Sequence, residues 1–166
     1  MTRAFLSLGS NRGNGAQQIA AALDQLDHHA DITVVARAPL YRTTPVGPIA
    51  QEDFTNSAAV IETTLPAEKL MDVCHAIERI MGRNRAQEQR WGPRLIDIDL
   101  IAYGEESRTG PSLILPHPRF AERAFVLVPL ADIAADERIG GHKIRDYLAR
   151  LDQNGVIRIC LLYTSP

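Results

Sequence analysis

Leu95-Ile96-Asp97-Ile98-Asp99-Leu100-Ile101-Ala102-Tyr103 is the stretch on which the reading of this 166-residue chain turns. Side chains alternate between the two sides of a β-strand, so Asp97 and Asp99 share one face while Ile96, Ile98 and Leu100 share the other. The apolar face must pack on helices, and the acidic face is left for chemistry. Working outward, Pro66 at a first helical position opens a helix with Leu70, Val73, Ile77 and Ile80 on one face, which Gly82 ends. Phe54 to Glu62 and Ile32 to Ala38 read as strands, and Gln17 to about His28 as an amphipathic helix carrying Ile19, Leu23 and Leu26. Ala4 to Leu8 is the first strand, stopped by Gly9-Ser10-Asn11.

The resulting order, β-α-β-β-α-β, is the split ferredoxin-like pattern. We expect an α+β sandwich whose helices lie on one side of the sheet. Beyond it come a segment punctuated by Pro111, Pro116 and Pro118, an apolar run Phe125 to Ile133, a short helix around Ile144 to Leu151, and an added strand Val156 to Leu161. Between the second and third strands, Arg42-Thr43-Thr44-Pro45-Val46-Gly47-Pro48 holds two prolines and a glycine and reads as irregular backbone suited to binding. The length predicts a single domain over 1–166, with 160–166 read as a non-native tail.

Composition narrows the function. The chain is 45% apolar and 23% charged, close to the globular average. Lys and Arg number 18 against 20 acids, a net charge of -2 that rules out a nucleic-acid or anionic-membrane footprint over the whole surface. Two cysteines with no C-x-x-C fit a reducing compartment, so the chain is read as cytoplasmic. No window reaches the roughly 18 apolar residues of a membrane helix. A monomer with small-molecule substrates and no nucleic-acid partner is expected.

Two carboxylates about 7 Å apart along a strand can hold hard cations between them. A D-x-D pair arises readily by chance, so its neighbourhood decides. From His75 to Arg94 lie Arg79, Arg83, Arg85, Arg90 and Arg94 against only Glu78 and Glu88. Acids beside several guanidiniums are what a magnesium-bound polyphosphate needs: carboxylates hold the metal and arginines grip phosphate oxygens. All but two of the 18 basic residues are arginines, so some of these, Arg79 on the helix among them, read equally well as ordinary surface groups. Gly9 to Gly15 matches neither the Walker A spacing nor G-x-G-x-x-G, so side chains must do any phosphate binding. There is no H-E-x-x-H, and Cys74 and His75 point to different sides of a helix, which disfavours zinc. Phe54 and Phe125 can stack on a planar ring, and Asn56, on the same strand face as Phe54, can read a heterocycle edge, although core and turn roles are commoner for these residue types.

Arg90 to Asp99, R-W-G-P-R-L-I-D-I-D, resembles the signature of the 6-hydroxymethyl-7,8-dihydropterin pyrophosphokinase family of folate biosynthesis. Supporting segments follow in order: L-G-S-N at Leu8 to Asn11, Y-R-T-T-P-V-G-P at Tyr41 to Pro48, F-T-N-S-A-A at Phe54 to Ala59, L-P-H-P-R-F at Leu115 to Phe120, and E-R-A-F-V-L-V-P-L at Glu122 to Leu130. The resemblance implies transfer of the β,γ-diphosphate of ATP to the pterin hydroxymethyl group, with release of AMP. It makes Asp97 and Asp99 ligands of two Mg2+ ions. It places Arg83 and Arg94 on the reacting phosphates, and Arg85, Arg90 and Trp91 in a loop that closes over the nucleotide. His75, Glu78, His117 and Arg123 fall on its ATP-site positions. Thr43, Thr44 and Val46 supply contacts to the pterin, Asn56 and Asp97 complete that site, and Phe54 and Phe125 sandwich the ring. No general base is assigned.

Phe54 stands where some members have tyrosine, His75 where some have glutamine, and Ser112 where some have arginine. The loop Arg83 to Trp91 is a residue longer than in some relatives. Two rival readings are weaker. An RNA-recognition module shares βαββαβ, but its strand aromatics are missing. A D-x-D glycosyltransferase usually needs a larger nucleotide-sugar domain.

Overall fold

β1 (Thr2–Ser10) forms the middle of the molecule because its apolar residues face both ways, Ala4, Leu6 and Leu8 to one side and Phe5 to the other. The computed structural model describes residues 1–11, 13–44, 53–82 and 95–159. After β1 come α1 (Gly15–His28), β2 (Ile32–Arg37), β3 (Tyr41–Thr43), β4 (Phe54–Thr63), α2 (Ala67–Ile80) and β5 (Asp97–Tyr103). The hairpin β6 (Arg108–Thr109) and β7 (Ile114–Leu115), then α3 (Ala124–Ala134), follow. A second hairpin, β8 (Arg138–Ile139) and β9 (His142–Lys143), leads to α4 (Ile144–Leu148) and β10 (Val156–Arg158).

The main sheet has the order β10-β3-β4-β1-β5, with β2 also paired to β4, and every pairing is antiparallel. β2 lies beside Ala59–Thr63 and β3 beside Phe54–Asn56, so two short strands share one edge of β4. The expected βαββαβ order is present as β1-α1-β2-β4-α2-β5. β3 corrects the reading of Arg42-Thr43 as irregular: the prolines begin only at Pro45, and a three-residue strand fits before them.

α1 is nucleated by Asn14, whose side chain accepts from the Gln17 N–H at 3.1 Å. Its buried stripe is Ile19, Ala22, Leu23 and Leu26. α2 buries Leu70, Cys74 and Ile77 beside it. Ile80, expected on that face, is 72% exposed, because ten residues past Leu70 it has rotated off the stripe. Gly82 ends the helix with φ at 96°, donating its N–H to the Arg79 carbonyl at 3.0 Å.

The two helices of the βαββαβ unit lie on one side of the sheet as expected, and the added C-terminal helices form a further layer on the other. α1 and α2 cover one face with Leu6, Leu8, Ile61, Ile96, Ile98 and Leu100, while Val126, Leu127 and Leu130 of α3, with Ile144 of α4, cover Phe5, Ala58, Val60 and Ile101 on the other. The physical reason is visible in β4: Ala58-Ala59-Val60-Ile61 is apolar at every position, the mark of a strand buried on both faces. Arg3 locks this second layer, donating from Nε and Nη2 to the Glu137 carboxylate at 2.6 and 2.8 Å.

A bulge divides β5. Phe5 pairs with Ala102 and Leu6 with Leu100, so Ile101 is extra. Alternation resets there: Ile101 and Ala102 both join the α3 side, and Tyr103 returns to the α1–α2 side.

Candidate active site

Asp97 and Asp99 lie on the α3 side of the sheet, and their neighbours follow from the register. Residues directly paired in an antiparallel sheet point to the same face. Asp97 pairs with Gly9 and Gly9 with Asn56, while Asp99 pairs with Ser7 and Ser7 with Ala58. Two parallel rows therefore cross three strands, Asp97-Gly9-Asn56 and Asp99-Ser7-Ala58. With strands about 4.8 Å apart, Asn56 and Asp97 stand about 10 Å from each other across the glycine. A Cβ at Gly9 would meet Asn56 Oδ1 at 3.0 Å and Phe54 Cδ1 at 3.9 Å. The glycine is thus the bare floor between an amide and a carboxylate.

At one end of the floor Thr43 and Asn56 are both buried, and Asn56 Nδ2 donates to Thr43 Oγ1. Thr44 is exposed beside them, and Phe54, paired with Thr43, is half-buried. Tyr41, paired with Asn56, donates its hydroxyl to Asp132 of α3. Burial, reinforced by that carboxylate, pushes the Tyr41 phenol up to about 12. Phe125, in the first turn of α3, packs against the apolar layer on this same side, with the Arg123 guanidinium 5.6 Å from its ring centroid.

At the other end, β5 is an edge strand, and its outward backbone groups are occupied on either side of Asp99. Glu78, in the last turn of α2 and 3% exposed, accepts the Ile98 N–H at 2.9 Å. The Ile101 carbonyl accepts the His117 N–H at 2.8 Å, just past the cis Leu115–Pro116 peptide. His117 is half-buried, and burial holds its imidazole below the ordinary range against the raising influence of Asp99, with Arg123 and Arg119 adding to the fall. Its Nδ1 accepts from the Arg119 N–H at 3.2 Å, which leaves Nε2 as the N–H donor of the neutral ring. His75 is partly buried on α2. Arg79 is exposed. Burial pushes the Cys74 thiol up to about 12, so it is an inert core group.

The fold therefore brings Thr43, Phe54, Asn56, Asp97, Asp99, His117, Arg123 and Phe125 to the α3 side or the adjoining edge of β5. Glu78 comes from the opposite layer and reaches that edge from below, and His75 lies three residues before it on α2. Val46, Arg83, Arg85, Arg90, Trp91 and Arg94 lie outside the described residues. Gly9 and Tyr41 were not singled out from sequence. The Gly9 role needed the strand register, and the Tyr41 partner is 91 positions away.

The donor set can be tested for a metal. Among the described residues no group of three or more His, Cys, Asp or Glu could hold an ion by itself. Two carboxylates on one face suit Mg2+, which keeps water and uses one or two carboxylates together with substrate phosphates. The residues fit a metal that arrives with a polyphosphate and do not form a closed cage.

A sequence profile of 7,8-dihydro-6-hydroxymethylpterin-pyrophosphokinase (HPPK) matches residues 5–135. The chain belongs to the HPPK family. It is 49% identical over 159 residues to the 2-amino-4-hydroxy-6-hydroxymethyldihydropteridine pyrophosphokinase of Methylorubrum extorquens, covering 96% of this chain and 99% of that protein. With the Pseudomonas aeruginosa protein of the same name it shares 40% identity over 158 residues, covering 95% and 96%. Among solved structures, an HPPK-DHPS in complex with substrates superposes with a TM-score of 0.69 at 12% identity, over 90% of this chain and 43% of that one. Plasmodium falciparum HPPK-DHPS with pteroate gives 0.70 at 15% identity, over 90% and 42%. This chain spans less than half the length of those solved chains, and at such identities they show the fold alone, the ferredoxin-like α+β architecture of HPPK domains. No helix among the described residues is long and apolar enough to cross a membrane.

Proposed function

We propose that the chain carries out the HPPK reaction on the Asp97–Gly9–Asn56 floor, with the pterin at the Asn56 end and the triphosphate at the Asp97–Asp99 end. The enzyme is a diphosphotransferase of folate biosynthesis: it moves diphosphate from ATP, its co-substrate, to the hydroxymethyl group of 6-hydroxymethyl-7,8-dihydropterin, giving AMP and the pterin diphosphate. The pterin oxygen bonds to the β-phosphorus, the α,β-bridging P–O bond breaks, AMP departs with that oxygen, and the hydroxyl proton is lost. The observation that carries this reading is the register itself, which sets an amide, a bare glycine and a carboxylate in one row.

In this reading Phe54 and Phe125 flank the pterin ring, Asn56 hydrogen-bonds its edge, Thr43 and Thr44 line it, and Val46 is assigned to it by the family pattern alone. Asp97 and Asp99 hold Mg2+, as two ions, which offset triphosphate charge when bound. His117, neutral above its lowered pKa, donates from Nε2 to a phosphate oxygen, and Arg123 adds a guanidinium. Glu78 and His75 shape the nucleotide side along the edge of β5. Arg83, Arg85, Arg90, Trp91 and Arg94 are assigned to ATP and its reacting phosphates by the family pattern alone. Catalysis is then chiefly positioning and preorganised charge. The single domain is read as a cytoplasmic monomer without a nucleic-acid partner, supported by its charge balance and sparse cysteines. RNA recognition is disfavoured because the face that would stack bases is covered by α3 over Phe5, Val60 and Ile101 and carries Asp97 and Asp99 where it is open.

The test incubates the protein with ATP, Mg2+ and the hydroxymethyl-dihydropterin and separates the nucleotides. AMP forming only when pterin is present is expected, whereas ADP, or turnover indifferent to pterin, overturns the assignment.

A further inference from the structure

Asn56 carries two donors and an acceptor, and its usefulness to a ring depends on which way the amide faces. The surroundings fix that direction at both ends. On one side Nδ2 donates to Thr43 Oγ1, both residues being buried. On the other, Oδ1 lies over Gly9, 3.0 Å from where a Cβ would stand. The Cα hydrogen that glycine carries in that place points toward Oδ1, a contact that suits an oxygen and not an NH2 group. With one Nδ2 hydrogen committed to Thr43, the amide has one N–H and one lone-pair face to offer.

We propose that Thr43 and Gly9 are positioning residues that hold the Asn56 amide in one orientation and so set the preference for a ring edge with adjacent acceptor and donor. This rests on the pterin reading above and deepens it. The 2-amino-4-hydroxy ring, in its 4-oxo form, has such an edge: a carbonyl oxygen beside a ring N–H. A 2,4-diamino ring presents the reverse, an amino group beside an unprotonated ring nitrogen, and would need the amide turned over. Turning it over would set NH2 against the Gly9 Cα hydrogen and require the Thr43 hydroxyl to redirect its own hydrogen. A site built for one hydrogen-bond pattern rejects the other because its buried groups are left unpaired.

The experiment compares the 4-oxo and 2,4-diamino 6-hydroxymethyl-dihydropteridines as ligands of the full chain, by ring fluorescence without ATP and by kcat and KM with ATP. Thr43→Val keeps the shape and removes the acceptor, while Thr43→Ser restores it. We expect Thr43→Val to lower the oxo-over-diamino selectivity at least tenfold, raising KM for the oxo ring far more than KM for ATP, and Thr43→Ser to recover the selectivity. Gly9→Ala, which crowds Oδ1 from the other end, should lower the same ratio, and it supplies the answer if Thr43→Val does not fold. Equal losses for both rings, or an unchanged ratio in the folded variants, overturn the proposal. The two readings fail differently: no pterin-dependent AMP from the unmodified protein sinks the reaction, while the binding ratio still judges the amide.

Discussion

The two faces of the sheet are built from the same strands and do opposite things. The α1–α2 face is apolar along β5 and the residue before it, with Ile96, Ile98 and Leu100 all at or below 4% exposure. The α3 face is apolar at the Ile101 end and polar at the Asp97 end, where Ser7, Gly9 and Asn56 replace the large side chains that would otherwise fill it. One layer supplies the burial that stabilises the fold, and the other leaves a gap in its packing where chemistry can sit. Stability and function are separated by strand parity.

Substitutions can break that separation. Asp97→Asn or Asp99→Asn should cut AMP formation by about 100-fold or more, on the scale of losing a preorganised charge in a reacting site. The urea midpoint should stay or rise, since two neighbouring carboxylates become one. Retained activity in either variant would remove the metal role. On the opposite face Leu70→Ala, at a fully buried position, should cost about 2–5 kcal/mol in urea unfolding while KM for the pterin moves less than twofold. A large KM change there would show that the faces are coupled.

Glu78 sharpens the comparison because it belongs to both layers, rooted in α2 and bonded to the backbone between the two aspartates. Glu78→Ala orphans the Ile98 N–H, so a loss of about 1–3 kcal/mol is expected together with slower turnover. Stability lost without any change in rate would make it a packing clip only.

The smallest effect concerns Tyr41. A raised pKa means the folded state holds the proton more tightly. Its contribution is therefore fully present below the ordinary phenol value of about 10 and is lost as pH rises toward about 12. Tyr41→Phe should cost about 1 kcal/mol at neutral pH, because Asp132 is exposed, and should flatten the alkaline fall in urea midpoints.

Much of this arrangement was legible in the sequence. The Ile/Asp alternation gave the direction of Asp97 and Asp99, and the β-α-β-β-α-β order was evident from periodicity. α3 was harder: Phe125 to Ile133 showed only an apolar run because Pro129 sits inside it, where it cannot donate to the Phe125 carbonyl. The second apolar layer followed from that omission. β3 was hidden by its proximity to Pro45. Which strand lies beside which is a long-range property, so the rows through Gly9 and Ser7, the Glu78 bond to Ile98 and the Tyr41 bond to Asp132 had no local signature. Family motifs named Asn56 and Glu78, but only the register explains what each one touches.

The extra residue at Ile101 works as a phase slip between two messages written on one strand. Upstream of it the direction of each carboxylate is fixed by pairing with Gly9 and Ser7. Downstream, the side chains that meet α3 are counted from a new origin. The directions of the two acids and the set of side chains that meets α3 are therefore fixed by two separate registers on one strand.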